Sequence, residues 1–387
     1  MEKLNSIFYG PAGTGKTRES IRQAVEIVKK SDDSDALNLS EYKTSNYDGI
    51  ISLFNNVSDL PELNITNDKL LKEIQDLNKS VDNIVKNKGY KGYLEDLENP
   101  KNDILKYRLF PLIETVTFHP SYSYQDFVEG ITVETNNKNI EYTVKDGIFK
   151  KICKRAIDNP NYNYVLIIDE INRGDISSIF GELFTLLEDK KRLGENEELK
   201  INLPYSKDNK GNPEKLAVPK NLYILATMNT VDKSIALIDV ALRRRFEFIE
   251  CMPNYDLEDL KYEIDGVKLS NLLKSINDRI TILKNEHYQI GHSYFLNITN
   301  IEELSEIFKT KIIPLLQEYF YDDWQSICAV LNQSYNNAKI DTGILISSNV
   351  NKNIFNEEFE ELIEFRNKKI FKVNQDFTNK DLISIYE

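Results

Sequence analysis

The sequence predicts an α/β fold, a three-layer sandwich followed by a smaller α-rich domain, and three observations lead to this prediction. The first is a glycine-rich octet between the apolar run 6–9 and a segment, 18–30, whose apolar residues recur at helical spacing. The second is a pair of apolar runs, 165–168 and 222–227, separated by a helical pattern and suited to strands buried on both faces. The third is a mainly helical pattern from about residue 253 onward. Alternating strands and helices of this kind are typical of a parallel sheet with helices on both sides.

The individual elements follow from the spacing of apolar residues along the chain. Runs of apolar and β-branched residues predict strands, whereas apolar residues three and four positions apart predict helices. We expect, in chain order, a strand at 6–9, a helix at 18–30, a strand at 115–118, a hairpin around Asn136-Asn137, a helix at 147–157, a strand at 165–168, a helix at 177–187, a strand at 222–227 and helices at 269–283 and 301–320. Pro314 opens or kinks the last of these helices. Segments 371–373 and 382–386 are predicted as short strands or as a final packed segment.

The same patterns predict two domains. We expect a large α/β domain at 1–252 and a smaller, mainly helical domain with a C-terminal tail at 253–387. Inside the first domain, the polar stretch of about 31–106 has apolar residues at helical spacing and is bordered by Ser31-Asp32-Asp33 and Asn99-Pro100. We interpret this stretch as a mostly helical insertion on the surface.

Composition excludes several classes of protein. A chain of 387 residues with 41% hydrophobic content can bury proper cores. Its longest apolar runs are far shorter than a membrane span and its start lacks the apolar core of a signal peptide, so we expect a cytoplasmic protein with no membrane contact. The net charge of −13 argues against a chain that coats DNA unaided. Three scattered cysteines predict buried, reduced thiols rather than disulfides or zinc ligands: Cys153, Cys251 and Cys328.

The glycine-rich octet fits the phosphate-binding pattern G-x-x-x-x-G-K-[ST]. In this pattern the backbone N–H groups wrap the phosphates, and the N-terminus of the following helix adds its dipole. Lys16 reaches the β- and γ-phosphate oxygens, and Thr17 supplies a hydroxyl to Mg²⁺. We therefore predict a nucleoside triphosphate site at Gly10, Pro11, Ala12, Gly13, Thr14, Gly15, Lys16 and Thr17.

Two carboxylates, Asp169 and Glu170, follow the buried strand 165–168 directly. Side chains at the carboxyl end of a parallel strand face the crevice where ligands bind. Hydrolysis of a triphosphate needs a metal ion to spread charge and a base beside the γ-phosphate. We predict that Asp169 holds Mg²⁺ through water and that Glu170 polarises the attacking water.

Asn229 comes just past the strand predicted at 222–227. At this position its amide can hydrogen-bond the γ-phosphate or the attacking water, which is a sensor role. On its own, an asparagine here would be an ordinary turn residue.

An arginine cluster, Arg243-Arg244-Arg245, follows the amphipathic segment 235–242. An arginine supplied by a neighbouring subunit can stabilise the charge that develops on a transferring phosphoryl group, which would require a ring of subunits. A surface basic patch or structural arginines paired with acids remain the alternative for each of the three.

Four segments together resemble the AAA+ GTPase subunit of McrBC-type restriction systems. They are the octet, Ile-Ile-Asp-Glu-Ile-Asn-Arg-Gly at 167–174, Met-Asn-Thr-Val-Asp-Lys-Ser at 228–234 and Ala-Leu-Arg-Arg-Arg-Phe at 241–246. Segments 117–130, 290–295 and 313–320 agree, so the resemblance spans most of the chain outside 31–106. Lys233 stands where the family usually has arginine, which keeps the charge and loses the bidentate geometry.

This resemblance implies an AAA+ core with a helical lid, in a hexameric ring that uses Mg²⁺ to hydrolyse GTP. It also implies stimulation by a separate McrC-like nuclease subunit and DNA translocation that leads to cleavage. The family's Asn-Thr-x-Asp segment has been likened to the guanine-reading Asn-Lys-x-Asp of small GTPases, which would put Asp232 on the base. The position of the segment after a core strand favours the sensor role instead. Because the chain opens on its first strand, we expect DNA to be read by a longer partner chain, or this to be a shortened form.

Two other functions share parts of this pattern. A MoxR-like ATPase that remodels a protein client has the same core and motif order, with ATP in place of GTP. A nucleotide-gated scaffold that does not hydrolyse would have no use for Glu170. The preferred base and the presence of a nuclease partner would separate the restriction motor from the MoxR-like ATPase.

Overall fold

The computed structural model of the chain describes residues 3–31, 112–136, 139–231, 240–335, 342–349 and 369–387. Its strands are β1 (Asn5–Gly10), β2 (Ile113–Thr117), β3 (Glu129–Asn136), β4 (Asn139–Asp146), β5 (Tyr164–Asp169), β6 (Ile201–Lys207), β7 (Pro213–Leu216), β8 (Leu222–Asn229), β9 (Glu247–Glu250), β10 (Glu263–Ile264), β11 (Val267–Lys268), β12 (Leu345–Asn349) and β13 (Lys369–Val373). Its α-helices are α1 (Lys16–Lys29), α2 (Tyr124–Phe127), α3 (Ile148–Asp158), α4 (Ile176–Phe180), α5 (Val240–Arg243), α6 (Glu258–Lys261), α7 (Leu269–Leu283), α8 (Ile301–Ile307), α9 (Ile313–Phe320), α10 (Trp324–Val330) and α11 (Asn379–Ile383).

The central sheet has five strands in the order β2-β5-β8-β1-β9. β5 runs parallel to both neighbours, with Val165 opposite Ile113 and Tyr164 opposite Leu222. Residues 164–168 of β5 are at most 1% exposed, which is the burial that a strand covered on both faces requires. The predicted α/β fold is confirmed, and the carboxyl ends of β5 and β8 lie side by side at one edge of the sheet.

Helices pack through stripes of apolar residues. In α3 the buried residues Phe149, Ile152, Cys153 and Ala156 recur three and four positions apart and therefore share one face. The helices predicted at 18–30, 147–157 and 269–283 are confirmed as α1, α3 and α7, with ends within two residues.

Two antiparallel hairpins, β3-β4 and β6-β7, are joined to α3 by the fully buried Lys150. Its ammonium lies 2.8 Å from Glu129 Oε2, 2.7 Å from Asp146 Oδ1 and 3.0 Å from Glu214 Oε2, and it donates to Ser206 Oγ at 2.6 Å. Burial is the largest single influence on the pKa of Glu129 and of Asp146 and would raise both. The hydrogen bonds that each carboxylate accepts together outweigh it, from Lys150, Ser206 and backbone N–H groups at Glu129 and from Lys150 and Lys154 at Asp146, so both pKa values are lowered. The ionised cluster thus fixes both hairpins to one helix.

Three expectations need correction. The helix predicted at 177–187 is α-helical only over Ile176–Phe180 and continues as a 3₁₀ helix, Gly181–Leu187, because Gly181 leaves the helical backbone with φ 51°. The helix at 301–320 is interrupted by a π-helical segment, Phe308–Ile312, and Pro314 opens its last part, α9. Of the two alternatives for 382–386, the strand is wrong, because this stretch lies in and after α11, whose N-cap is Thr378, whereas the packed segment agrees with the burial of Leu382 and Ile385.

Several other elements differ from, or go beyond, the sequence patterns. The strand at 371–373 is confirmed as β13, which pairs with β12. The hairpin around Asn136 is confirmed as β3-β4, whereas β6, β7 and β9 were not predicted. Almost all of the predicted insertion at 31–106 and most of the helical segment at 235–242 lie outside the described residues.

The chain divides into two compact units, one of Met1–Phe8, Thr17–Met228 and Ser234–Ile249, the other of Tyr9–Lys16, Asn229–Lys233 and Glu250–Glu387. The core of the first unit includes the fully buried rings of Phe118, Phe127, Phe149 and Phe180. The core of the second is built on α7 and α9, with Leu272, Ile276 and Leu316 among its buried residues. None of the helices that the structure describes is both long and apolar enough to cross a membrane.

The cysteines match the prediction of buried thiols at two positions out of three. Cys153 and Cys328 are buried, whereas Cys251 is half-buried. Burial raises the pKa of the Cys153 thiol to about 12 and that of Cys328 to about 11.

Candidate nucleotide-binding site

The phosphate loop, Gly10–Lys16, connects β1 to α1. Gly13 and Gly15 have φ of 77° and 79°, a region that side-chain-bearing residues rarely adopt. The loop is closed by Thr14, whose hydroxyl donates to Pro11 O at 3.0 Å. It leads into the N-terminus of α1, a helix of 14 residues, so backbone N–H groups and the positive end of a helix dipole meet at this loop.

Lys16 is 7% exposed, and its ammonium donates to Gly10 O at 3.1 Å and to Pro11 O at 2.6 Å. These carbonyl groups hold the cation against the loop that it is predicted to serve. A lysine in this place supplies a positive charge to phosphate oxygens bound by the loop.

The first unit places Thr17 and Asp169 together, as predicted. Thr17 Oγ1 donates to Asp169 Oδ1 at 3.1 Å. Since a hydroxyl has one proton and two lone pairs, this bond leaves the Thr17 oxygen able to bind a cation while it holds the carboxylate in place.

This pair fits a magnesium ion. Hydroxyl and carboxylate oxygens are the ligands that Mg²⁺ prefers, and the ion usually takes few protein ligands and completes its shell with water and phosphate. Among the described residues no group of three or more His, Cys, Asp or Glu side chains could hold a metal ion. A site of one hydroxyl and one carboxylate beside bound phosphates is therefore the arrangement that these residues support.

Glu170 follows Asp169 in a left-handed backbone conformation, φ 53° and ψ 47°. Few non-glycine residues adopt this conformation, which costs energy and is often found at functional sites. Its N–H donates to Thr227 Oγ1 at 3.1 Å, and its carboxylate lies 3.5 Å from Arg173 Nε. The predicted base is thus held by its own backbone as well as by a cation.

Thr227 is a site residue that the sequence patterns missed. Its hydroxyl donates to Asp169 Oδ1 at 2.5 Å and accepts the Glu170 N–H, and the residue is 2% exposed. One buried hydroxyl therefore joins the two predicted catalytic carboxylates. The available signal was a single polar residue inside the otherwise apolar run 222–228.

Asn229 is the last residue of β8, whereas the sequence pattern placed it just past a strand at 222–227. In the second unit the next residue, Thr230, donates its N–H to Gly10 O at 3.2 Å. Asn229 is therefore one residue from a backbone contact with the phosphate loop. Asp232 lies outside the described residues, so its contact with the base stays a prediction.

The three arginines differ in their surroundings. Arg245 is mostly buried, pairs with Glu188 at 2.6 Å and lies over the Phe184 ring at 4.6 Å. Arg243 and Arg244 are exposed, and the guanidinium of Arg243 stands 5.1 Å from the centre of the Phe248 ring. The pairing of Arg245 fits the structural alternative, whereas the other two present their charges on the surface.

Two families of known domains match this chain. The AAA domain of the dynein-related subfamily matches residues 105–246, and the alpha-helical lid domain of McrB matches residues 268–328. The parallel strands β2, β5 and β8 lie within the first match, and the helices α7 to α10 fall in the region of the second.

Among curated proteins, the chain is 40% identical over 229 residues to the Type IV methyl-directed restriction enzyme EcoKMcrB subunit of Escherichia coli (strain K12), covering 54% of this chain and 48% of the relative. It is 30% identical over 190 residues to the Type II restriction enzyme BsuMI component YdiS of Bacillus subtilis (strain 168), and the match covers 42% of this chain and 53% of that relative. The chain thus spans about half the length of the curated relatives it matches. The crystal structure of a putative ATPase from Cytophaga hutchinsonii ATCC 33406 aligns with 85% of this chain and 75% of the ATPase chain, at 13% identity and a TM-score of 0.24. A likeness at that level supports no argument.

Proposed function

Because this chain is an McrB-type AAA+ protein, we propose that it hydrolyses GTP and couples hydrolysis to DNA translocation and cleavage in a restriction complex. The observation that carries the proposal is the hydrogen-bonded series Thr17, Asp169, Thr227 and Glu170. It joins a metal-binding hydroxyl to a metal-binding carboxylate and to a base, and these are the groups that triphosphate hydrolysis requires.

In this proposal each residue has one task. The loop Gly10–Lys16 binds the phosphate chain through backbone N–H groups, and Lys16 neutralises charge on the β- and γ-phosphates. Thr17 and Asp169 hold Mg²⁺, which spreads the negative charge that develops during phosphoryl transfer. Glu170 accepts a proton from the attacking water, and Asn229 orients that water or the γ-phosphate.

The arginine cluster supports a ring of subunits. Arg243 and Arg244 are exposed, and an arginine that stabilises a neighbour's phosphoryl group must be presented on the surface. We propose a hexamer and a separate McrC-like nuclease because of the resemblance to the family. The relatives named as components of restriction enzymes support a partner subunit that cuts DNA. With a net charge of −13, DNA binds through the assembled complex or a partner domain rather than to this chain alone.

The test is steady-state hydrolysis of GTP and of ATP by the purified chain, with and without its McrC-like nuclease. GTP-selective turnover that the nuclease stimulates supports the proposal. ATP preference with no effect of the nuclease would favour a MoxR-like ATPase that remodels a protein client, and no turnover of either nucleotide would favour a scaffold.

Replacement of Glu170 with glutamine tests the assignment of the base. General-base catalysis contributes about 10²- to 10⁴-fold, so we expect kcat of Glu170→Gln to fall at least about 100-fold while GTP still binds. Glu195→Gln is the matched control, because Glu195 is exposed and lies outside the site. Unchanged hydrolysis by Glu170→Gln would contradict the assignment.

A further inference from the structure

Asn5, at the start of β1, connects this strand to the segment that carries the arginine cluster. The residue is 3% exposed, and its amide nitrogen Nδ2 donates to Leu187 O at 2.8 Å and to Arg245 O at 2.9 Å. A carbonyl oxygen can only accept, so the NH₂ end of the amide must face both carbonyl groups. Both hydrogens of the amide are therefore used, and one of them is on the backbone of the arginine cluster itself.

The oxygen end of the Asn5 amide is held by Arg192. The Arg192 guanidinium is fully buried, and its Nη2 donates to Asn5 Oδ1 at 2.7 Å. Its Nη1 donates to Pro219 O at 3.3 Å and to Leu222 O at 3.1 Å. Burial lowers the pKa of Arg192 to about 10, so the guanidinium stays charged at neutral pH. A charged donor makes the bond to Oδ1 strong and polarises the amide, which strengthens the bonds that Nδ2 donates.

The turn that follows α5 ends at the carbonyl group that Asn5 holds. The N–H groups of Arg245 and Phe246 both donate to Leu242 O at 2.9 Å and close this turn. Leu242 and Phe246 are buried, at 1% and 5% exposure, whereas the pair Arg243-Arg244 between them is exposed. The turn therefore presents two arginines to solvent, and the Asn5 amide fixes its exit from the interior.

The segment at Leu187 also holds the side chain of Arg245. The residue after Leu187 is Glu188, which pairs with Arg245 Nη2 at 2.6 Å. The backbone and the side chain of Arg245 are thus tied to one short segment, and Asn5 is bonded to both that segment and the arginine cluster.

We infer that Asn5 is a positioning residue for the exposed arginines. Its amide, oriented by Arg192, sets the place of the turn that presents Arg243 and Arg244 to the phosphoryl group of a neighbouring subunit. The inference rests on the proposed ring and deepens it by naming what holds these arginines in place. Asn5 acts through the backbone of Arg245 and not on the nucleotide. Since a catalytic group displaced by about 1 Å can lose about 100-fold in rate, the position of this turn matters for hydrolysis.

Replacement of Asn5 with aspartate separates positioning from packing. Asn5→Asp keeps the size of the side chain and gives Arg192 a carboxylate partner, but it turns an oxygen toward the Leu187 and Arg245 carbonyl groups. We expect kcat for GTP hydrolysis to fall about 10- to 100-fold, with the affinity for a fluorescent GTP analogue within about threefold of the wild type. Asn5→Ala leaves both carbonyl groups without the amide and adds no charge, so it gives the same test if Asn5→Asp does not fold.

Asn221→Asp is the matched control. The Asn221 amide also donates to backbone carbonyl groups of the first unit, at Ala156 (3.0 Å), Asn159 (3.3 Å) and Tyr162 (2.7 Å). The control loses bonds of the same kind, but these bonds hold the end of α3 and not the arginine cluster. At a temperature where thermal unfolding verifies that all variants are folded, its kcat should stay within about threefold of the wild type. A fall as large as that of Asn5→Asp would reduce the effect to lost stability and overturn the inference.

Mixed rings locate the defect. An Asn5→Asp subunit keeps its own phosphate loop and Glu170, so it should regain activity when mixed with Glu170→Gln subunits, which supply intact arginines. It should regain none when mixed with Arg244→Ala subunits. Recovery with Arg244→Ala would place the defect in the phosphate loop that β1 leads into, and it would overturn the inference, as would a wild-type kcat in Asn5→Asp.

The mixture of Arg244→Ala with Glu170→Gln is measured alongside and separates this inference from the proposed function. Recovery in that mixture without recovery of Asn5→Asp by Glu170→Gln would overturn the inference alone. Recovery in neither would overturn the proposed ring, and the inference with it. A wild-type chain that prefers ATP would overturn the proposed GTP specificity only, because the same mixtures then report on the arginines with ATP.

Discussion

Replacement of Thr227 with valine removes a single hydroxyl that connects the two predicted catalytic carboxylates. Valine has nearly the same shape, so packing in β8 is kept, while the bond to Asp169 Oδ1 and the acceptor of the Glu170 N–H are both lost. Because Thr227 is 2% exposed, water cannot readily replace either bond.

The expected size of the effect follows from these two bonds. A hydrogen bond to a charged group contributes about 1.5–3 kcal/mol, and an N–H left unpaired in the interior costs about 1–3 kcal/mol. The two losses are not additive, since Asp169 keeps its bond from Thr17, and we expect the free energy of unfolding to fall by about 2–4 kcal/mol. A catalytic group displaced by 1 Å can lose about 100-fold in rate, so kcat should fall about 10- to 100-fold.

The assay is GTP hydrolysis over a range of GTP concentrations, with chemical unfolding measured on the same preparations. KM should change little, because the phosphate loop is not altered. Thr227→Ser keeps the hydroxyl and is the matched control, with kcat within about threefold of the wild type, since it loses only one methyl group, about 1 kcal/mol of burial. Wild-type kcat in Thr227→Val, or equal losses in the valine and serine variants, would refute the positioning role.

The remaining predictions concern charged side chains outside the phosphate loop. Arg244→Ala should abolish hydrolysis with an unchanged melting temperature, whereas Arg245→Ala should lose about 1–3 kcal/mol of stability, because Arg245 is paired with Glu188 and stacked on Phe184. Mixed rings of Arg244→Ala and Glu170→Gln subunits should regain activity that neither has alone if the arginine acts on a neighbouring subunit, and inactive mixed rings would contradict this. Lys150→Met should cost about 3–5 kcal/mol by leaving Glu129 buried without its partner, and Lys150→Met/Glu129→Gln should recover part of that loss. The pKa values of Glu129 and Asp146 are lowered from 4.5 and 3.8, so the cluster stabilises the fold above those values and this stabilisation is lost as pH falls below them. Melting temperatures measured from pH 6 to 3 should therefore drop more steeply for the wild type than for Lys150→Met. Parallel curves would contradict the assignment.

The features that could be predicted from the sequence are those set by neighbouring residues. The phosphate loop is one continuous octet, and the apolar run of β5 requires burial on both faces, so Asp169 at its end falls at a ligand-binding edge. Strand order could not be predicted, because hydrogen bonding between β5 and β8 joins segments that are far apart in the sequence. The ion pair of Arg245 could not be predicted either, because its partner Glu188 is 57 positions away. This pairing is what distinguishes Arg245 from the two exposed arginines.

Local patterns also fail where two conformations bury the same face. Residues 177–187 have helical spacing, but a 3₁₀ helix from Gly181 buries Leu183, Leu186 and Leu187 as an α-helix would, and only the backbone at Gly181 distinguishes them. Spacing along the chain also cannot connect His292 to its neighbours Asn254 and Gly15, because both are far from it in the sequence.

The Asp169-Glu170 pair shows how a short motif depends on backbone geometry that the motif itself does not specify. Adjacent residues of an extended strand point to opposite faces of the sheet, so two neighbouring carboxylates in a continuing strand could not serve one site. The strand instead ends at Asp169, and the left-handed conformation of Glu170 begins a tight turn that Arg173 N–H closes on Glu170 O at 2.9 Å. Thr227 compensates for this strained backbone by accepting the Glu170 N–H, and the same hydroxyl donates to Asp169. The conformation that would orient the predicted base and the bond that would orient the predicted metal ligand are therefore held by one residue of the neighbouring strand, and this is how the two carboxylates would act together in the proposed hydrolysis.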